Sequence, residues 1–271
     1  MGNNINIKSY DLRQRMYRFY ADFRRYYTTN AYYQVISQAN PERFTAHILD
    51  NLKDGDKVLE VGSASGVMVM EAARVAGFAV GVDISPVAGR FAARLARIEK
   101  ERYKLIEEFD RVNLNSERLT SRSAFIAADV ERLPFRDGCF DACIARDVIE
   151  HFVDWRAALD EVRRCLKPGG RLFIELPVPK SINVNLDRDQ WAKRHGAMSD
   201  RDALHRVKWA NVLEWAEAGR MSVAHREIFY RFKWIGRTIA WLAGRFPRLA
   251  DTPWFGWAER LIFVHMIKGS N

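Results

Sequence analysis

The nine residues VLEVGSASG at positions 58–66 decide how this chain is read. Val58, Leu59 and Val61 make a strand-like apolar run with Glu60 near its end. Gly62, Ser63, Ala64, Ser65 and Gly66 then turn the chain into the helix-like VMVMEAARVA of 67–76. A strand, a small-residue turn and a helix start form a ligand cradle, because the first helical N–H groups have no intrahelical partner and lie at the positive end of the helix dipole.

Working outward, the same alternation recurs as KVLEV at 57–61, AVGVD at 79–83, a helix from Pro86, AFIAA at 124–128, DACIA at 141–145, a helix near 155–166 and GRLFIEL at 170–176. Strands alternating with helices predict an α/β fold with a parallel sheet covered on both faces. Ser85 and Pro86 read as N-cap and first helical residue, and KPGG at 167–170 as a helix stop before the next strand. Val87, Phe91, Leu95, Ile98, Leu105, Phe109 and Val112 predict a helical stripe over about 27 residues, about 40 Å long. A five-residue strand spans only about 17 Å, so the far half of this helix should outrun the sheet and need another partner, either the N-terminal helices or a second subunit in a homodimer.

Composition sets the outer bounds. The chain has 271 residues, 48% hydrophobic and 28% charged, which suits a globular protein with one catalytic-size domain and additions. The first thirty residues carry charges throughout, and no later stretch approaches 18 uncharged apolar residues, so secretion and membrane spanning are not expected. Cys139, Cys143 and Cys165 lack paired spacing, which suggests neither a disulfide framework nor a metal site and fits a cytoplasmic location. The formal net charge of +9 favours an anionic substrate, nucleic acid or an anionic membrane surface, with plain solubility as the alternative.

A dinucleotide turn would read G-x-G-x-x-G, but those places hold Gly62, Ala64 and Val67. What remains is E-x-G-x-x-x-G, which suits a ligand with an amino-acid end: Glu60 to attract an ammonium, helix N–H groups to face a carboxylate. Asp83, about twenty residues after the turn, is placed to take two ribose hydroxyls.

Together with VGVDIS at 80–85 and the long segment from AADVERLPF at 127–135 through RDVIEHF at 146–152 to KPGGRLFIELP at 167–177, the chain resembles class I S-adenosylmethionine-dependent methyltransferases, of the group that includes the ubiquinone and menaquinone biosynthesis enzymes. The resemblance runs from about residue 54 to 177 and more weakly to 219. It implies a Rossmann-like, doubly wound, seven-stranded, mostly parallel sheet with S-adenosyl-L-methionine as cofactor. It also implies that Glu60, Gly62, Ser63 and Gly66 hold the methionine end, Asp83 and Ile84 the ribose, Asp129 and Val130 the adenine edge, and Arg146 the cofactor through its backbone. Gly62 and Gly66 serve equally as a tight turn, and Asp129 equally as a helix cap. Ala64 departs from the family's usual glycine, at a cost of about 1 kcal/mol if its φ is positive.

Methyl transfer from a sulfonium is a direct displacement, so alignment and exclusion of water do most of the work, and a base is needed only for an acceptor that must lose a proton. His151 after the fourth strand and His205 in HRVKWANVLEWAEAG at 205–219 are the base candidates, each with packing as its alternative. The basic insertion after the fifth strand, with Arg188, Lys193, Arg194, Arg201 and Arg206, is expected to form a substrate lid.

The expected organisation is an N-terminal helical extension at 1–52, a cofactor-binding core at 53–180, a lid at 181–221, and C-terminal strands with an amphipathic helix at 222–271. The expected substrate is small and anionic, with methylation on oxygen, nitrogen or carbon. Nucleic acid is the weaker partner, since neither an adenine-amino N/D-P-P-Y/F motif nor a Pro-Cys nucleophile is present. Loss of catalysis with cofactor binding retained is the reading Ala64 keeps open. Ile235, Ile239, Leu242 and Phe246 with Trp234 and Trp241 form a stripe that either packs on the fold or lies against an anionic membrane.

Overall fold

The computed structural model describes residues 42–110, 121–177, 207–230 and 259–270. The N-terminal aromatic segment, the residues of the expected lid up to Arg206 and the 232–246 stripe lie outside these residues.

Helix α1 (Glu42–Asp50) precedes strand β1 (Lys57–Val61), α2 (Val67–Val75), β2 (Phe78–Asp83), α3 (Pro86–Asp110), β3 (Ser123–Ala127) and β4 (Phe140–Arg146). Helix α4 (Trp155–Cys165), β5 (Leu166–Pro177), α5 (Trp209–Ala218), β6 (Met221–Tyr230) and β7 (Glu259–Lys268) follow. The seven strands form one sheet in the order β3-β2-β1-β4-β5-β7-β6. β1 through β5 pair in parallel, whereas β7 slots antiparallel between β5 and β6. The sequence order reverses at β1, which lies between β2 and β4, so the crevice at the carboxyl ends of these strands is where ligands of such sheets sit.

The central strands bury both faces. Leu59, Val61, Cys143, Ala145, Leu172 and Ile174 pack with α4 and α5 on one side. Val58, Ala142, Ile144, Phe173 and Phe263 pack with Phe44 and Ile48 of α1 and Met68, Val69, Ala72 and Ala73 of α2 on the other. This two-sided burial is why the strands read as nearly continuous apolar runs. On the α1 side, Phe44 stacks on Phe263 at 4.4 Å between ring centres, and His47 stacks on His225 at 4.4 Å while meeting His265 at 3.4 Å. Three histidines from α1, β6 and β7 thus share one seam. Burial, with the neighbouring His47, Arg171 and His225, pushes His265 down to about 4.

Two expectations change. Ala88, Ala92 and Ala96 are the buried residues of α3; of the expected stripe, Val87 and Leu95 pack half-buried beside them, while Phe91 and Ile98 remain 38% and 55% exposed. Small side chains win because α3 crosses close to the glycine turn: a Cβ on Gly66 would stand 2.8 Å from that of Ala92 and inside contact distance of the Phe125 ring edge. The distal stripe residues Leu105, Phe109 and Val112 lie outside the described side chains. The KPGG stop falls inside β5, because α4 ends at Cys165 and Leu166 already pairs with Phe140. The register resumes only at Ala142 and Arg171, with Gly169 at φ 73°, so the four residues form a bulge in the strand.

Candidate functional site

The site is built from the carboxyl ends of β1, β2, β4 and β5. Gly62 and Ser63 leave β1 with both amides donating to the Val82 carbonyl, at 2.8 and 3.0 Å, which ties the turn to β2. Gly62 has φ 68° and Gly66 has φ 75°, both left-handed. A Cβ on Gly62 would lie 3.0 Å from Val148 Cβ and still closer to one of its methyls, so the segment after β4 closes over the turn only because residue 62 is glycine. Ser63 is buried, with its hydroxyl against Gly81, where a Cβ would meet it at 2.6 Å. The glycine in AVGVD thus makes room for the turn, a role visible only once β1 and β2 are paired.

Ala64 adopts φ 47°, so the Cβ cost applies. Its methyl packs with Val87 and Ala88 at the start of α3, and its amide donates to Asp83 Oδ2 at 3.0 Å. The turn therefore forms without the usual glycine. Asp83 also accepts from the Ser85 amide at 2.8 Å through Oδ1, so the carboxylate is held by both loops with each oxygen keeping lone-pair capacity. Burial raises its pKa against these two bonds. Ile84 is half-buried beside it.

Glu60 is 7% exposed. Burial is the main cause that pushes its carboxyl up to about 8, opposed by the Arg146 guanidinium and the Val69 amide. Its Oε2 is buried with no hydrogen-bond partner among the described residues. A buried carboxylate oxygen without a donor is costly, and an ammonium supplied by a ligand would satisfy it.

Arg146 ends β4 opposite Glu175 of β5. Its Nε donates to Glu175 Oε2 at 2.7 Å, and one terminal nitrogen reaches Thr45 Oγ1 at 3.4 Å and Met68 Sδ at 3.7 Å. The side chain is thus part of the site's charge balance, beyond the backbone role expected of it. Glu175 escaped the sequence reading. Its signal was an acid in GRLFIEL at the same place in an apolar alternation as Glu60 in KVLEV.

Asp129 caps the 3-10 turn Val130–Arg132, accepting from the Glu131 amide at 3.0 Å, and Val130 is buried in the core. The cap alternative is therefore realised, and an adenine contact would have to share the same carboxylate. His151 ends the 3-10 turn Ile149–His151, three residues after Val148, with Nε2 3.8 Å from Oε1 of the buried Glu150. His205 lies outside the described residues. Among the described residues no group of three His, Cys, Asp or Glu could hold a metal, and no helix is long and apolar enough to cross a membrane.

Residues 59–174 match the family model described as a methyltransferase domain. Over this stretch the chain is similar to class I S-adenosylmethionine-dependent methyltransferases. The domain is 30% identical over 151 residues to a demethylmenaquinone methyltransferase of Mycolicibacterium gilvum, covering 56% of this chain and 54% of that protein. The chain thus spans about half the length of the curated relatives it matches. Among solved structures, the cyclase SpnF overlays with a TM-score of 0.56 at 20% identity, covering 84% of this chain and 82% of that one. A geranyl diphosphate C-methyltransferase of Streptomyces coelicolor, solved with S-adenosyl-L-homocysteine, overlays with a TM-score of 0.52 at 16% identity, covering 83% and 77%. These likenesses show the fold of the methyltransferase domain. That one belongs to a cyclase illustrates why the reaction must be argued from the site.

Proposed function

We propose that this protein transfers a methyl group from S-adenosyl-L-methionine to an oxygen of a small acidic, phosphorylated or lipid-linked metabolite. The observation that carries the cofactor is the buried, unpartnered Oε2 of Glu60 next to a glycine turn, with Asp83 at the tip of the adjoining strand. Glu60 would take the ammonium, the turn of Gly62, Ser63 and Gly66 the methionine chain, Asp83 and Ile84 the ribose, and Asp129 and Val130 the adenine edge. When bound, the cofactor supplies a methyl on a sulfonium. The residues of this chain orient it, exclude water and, for a hydroxyl acceptor, remove a proton. His151 is the candidate base, and Glu150 beside it would stabilise the imidazolium formed. His205 is the second candidate on the sequence pattern alone.

The acceptor class rests on the net charge of +9 and on the names of the relatives, whose acceptors are a demethylmenaquinone and a geranyl diphosphate. Location in the cytoplasm with contact at an anionic membrane surface is consistent with such an acceptor. Mass spectrometry after incubation with S-adenosyl-L-methionine and a panel of hydroxylated acids, phosphorylated metabolites, prenylated quinols and RNA tests this reading. A methylated small anion, with at least about 100-fold slower turnover in His151→Ala, is expected if His151 is the base. Methylated RNA with no small-molecule product would favour the nucleic-acid reading, and cofactor binding without any product would favour a binding protein on this fold.

A further inference from the structure

Glu60, Arg146 and Glu175 come from three strands, and the sheet order brings them together. β1 pairs with β4, and β4 with β5, in parallel register, so the three carboxyl ends stand side by side. Side chains alternate along each strand, and Val58, Ile144 and Phe173 all pack on the α1–α2 side. Two residues further along, Glu60, Arg146 and Glu175 therefore face the same way.

One guanidinium thus stands among two buried carboxylates. It donates to Glu175, with Thr45 of α1 and Met68 of α2 as its further contacts, and their side chains leave Arg146 and Glu175 only 18% and 10% exposed. Glu60 feels the Arg146 charge without an ion pair to it, and keeps a bare Oε2. The other groups facing Glu60 are Asp83 of β2 and the Val69 amide of α2, and Glu175 also faces Asp147. In a buried site, a cation released from one carboxylate moves to the next.

We propose that Glu175 is a positioning residue for cofactor binding: by engaging Arg146 it keeps that cation off Glu60 and leaves the Glu60 carboxylate for the ammonium of the bound amino-acid end. Without Glu175, Arg146 pairs with Glu60 and puts like charge where the ammonium must sit. The pairing also ionises Glu60 before any ligand arrives. This inference rests on Glu60 as the ammonium partner, so its test separates the two.

The probe is S-adenosyl-L-homocysteine, whose thioether leaves the α-ammonium as its one cation. Affinity is measured by calorimetry from pH 6 to 9 on the full chain. Wild type is expected to gain about tenfold per pH unit up to near pH 8 and then level off. In Glu175→Gln the affinity above pH 8 should fall about tenfold or more, and the pH midpoint should drop by at least about one unit. The double variant Arg146→Met with Glu175→Gln removes cation and anion together, so its midpoint should return to the wild-type value or above, with a smaller affinity loss than Glu175→Gln alone. It also carries the test if the single variant does not fold. A Glu175→Gln loss that is equal at every pH with an unmoved midpoint, or a double variant whose midpoint stays low, overturns the proposal. A flat wild-type profile together with unchanged affinity in Glu60→Gln would instead remove the ammonium role of Glu60 itself.

Discussion

Two substitutions two residues apart, each changing one methyl group, should act in opposite directions. In Gly62→Ala the new Cβ sits at φ 68°, costing about 1 kcal/mol, and meets Val148 inside contact distance. Overpacking of this kind costs about 1 to 3 kcal/mol more, so the loss should be about 2 to 4 kcal/mol, or roughly 4 to 16 °C in Tm at about 2 to 4 °C per kcal/mol. Relief would come from moving Val148, which also moves the 3-10 turn carrying His151, so turnover should fall beyond any loss of cofactor affinity. In Ala64→Gly the φ of 47° becomes unstrained, while the methyl contacts with Val87 and Ala88 are lost and the unfolded chain gains freedom. The balance lies between neutral and about 1 kcal/mol more stable. Differential scanning fluorimetry, with S-adenosyl-L-homocysteine calorimetry on the same samples, reads both. A Gly62→Ala protein melting within about 1 °C of wild type, or an Ala64→Gly protein losing more than about 1 kcal/mol, would refute the account of the turn.

Glu60→Gln should abolish most cofactor affinity yet stabilise the ligand-free protein. The folded pKa of Glu60, raised from 4.5 to about 8, means that its contribution is fully present below pH 4.5 and lost as pH rises through 8. Neutralising the site should therefore add up to about 3 kcal/mol at pH 7, visible as a higher Tm that no longer falls between pH 5 and 8. Asp83→Ala removes the acceptor of the Ala64 and Ser85 amides as well as the ribose partner, so affinity should fall at least about tenfold; a change below twofold excludes the role. His265 has the opposite sign from Glu60: its pKa is lowered from 6.5 to about 4, so its stability is present above pH 6.5 and lost as pH falls toward 4. His265→Phe, placed against Phe173 and His47, should flatten the fall of Tm between pH 6.5 and 4.5, and an unchanged slope would place acid sensitivity elsewhere.

Much of this fold is legible in local pattern. Two-sided burial turns β1, β2 and β4 into apolar runs, Ser85 and Pro86 mark where α3 begins, and the acids closing KVLEV and AVGVD stand where the crevice opens. The buried face of α3 was not legible, because a hydrophobicity stripe favours Phe91 and Ile98, whereas closeness to Gly66 and Phe125 selects Ala88, Ala92 and Ala96. The same limit hides the reason for Gly81, whose missing Cβ leaves room for Ser63 of the turn after β1.

The residues of the glycine turn, its two acids and their spacing belong to the sequence alone, since strand period, turn chemistry and helix start are set within about thirty residues. The neighbourhood of Glu60 does not. Arg146 and Glu175 lie 86 and 115 positions further along the chain. They reach Glu60 only because β4 lies beside β1 and β5 beside β4, and because strand parity turns all three side chains to the α1–α2 face. Whether Glu60 is an ordinary carboxylate or one held near neutrality, open to an incoming ammonium, depends on desolvation and on which acid Arg146 engages. Both are properties of packing across the sheet, where charges interact through a low-dielectric interior that no linear pattern encodes.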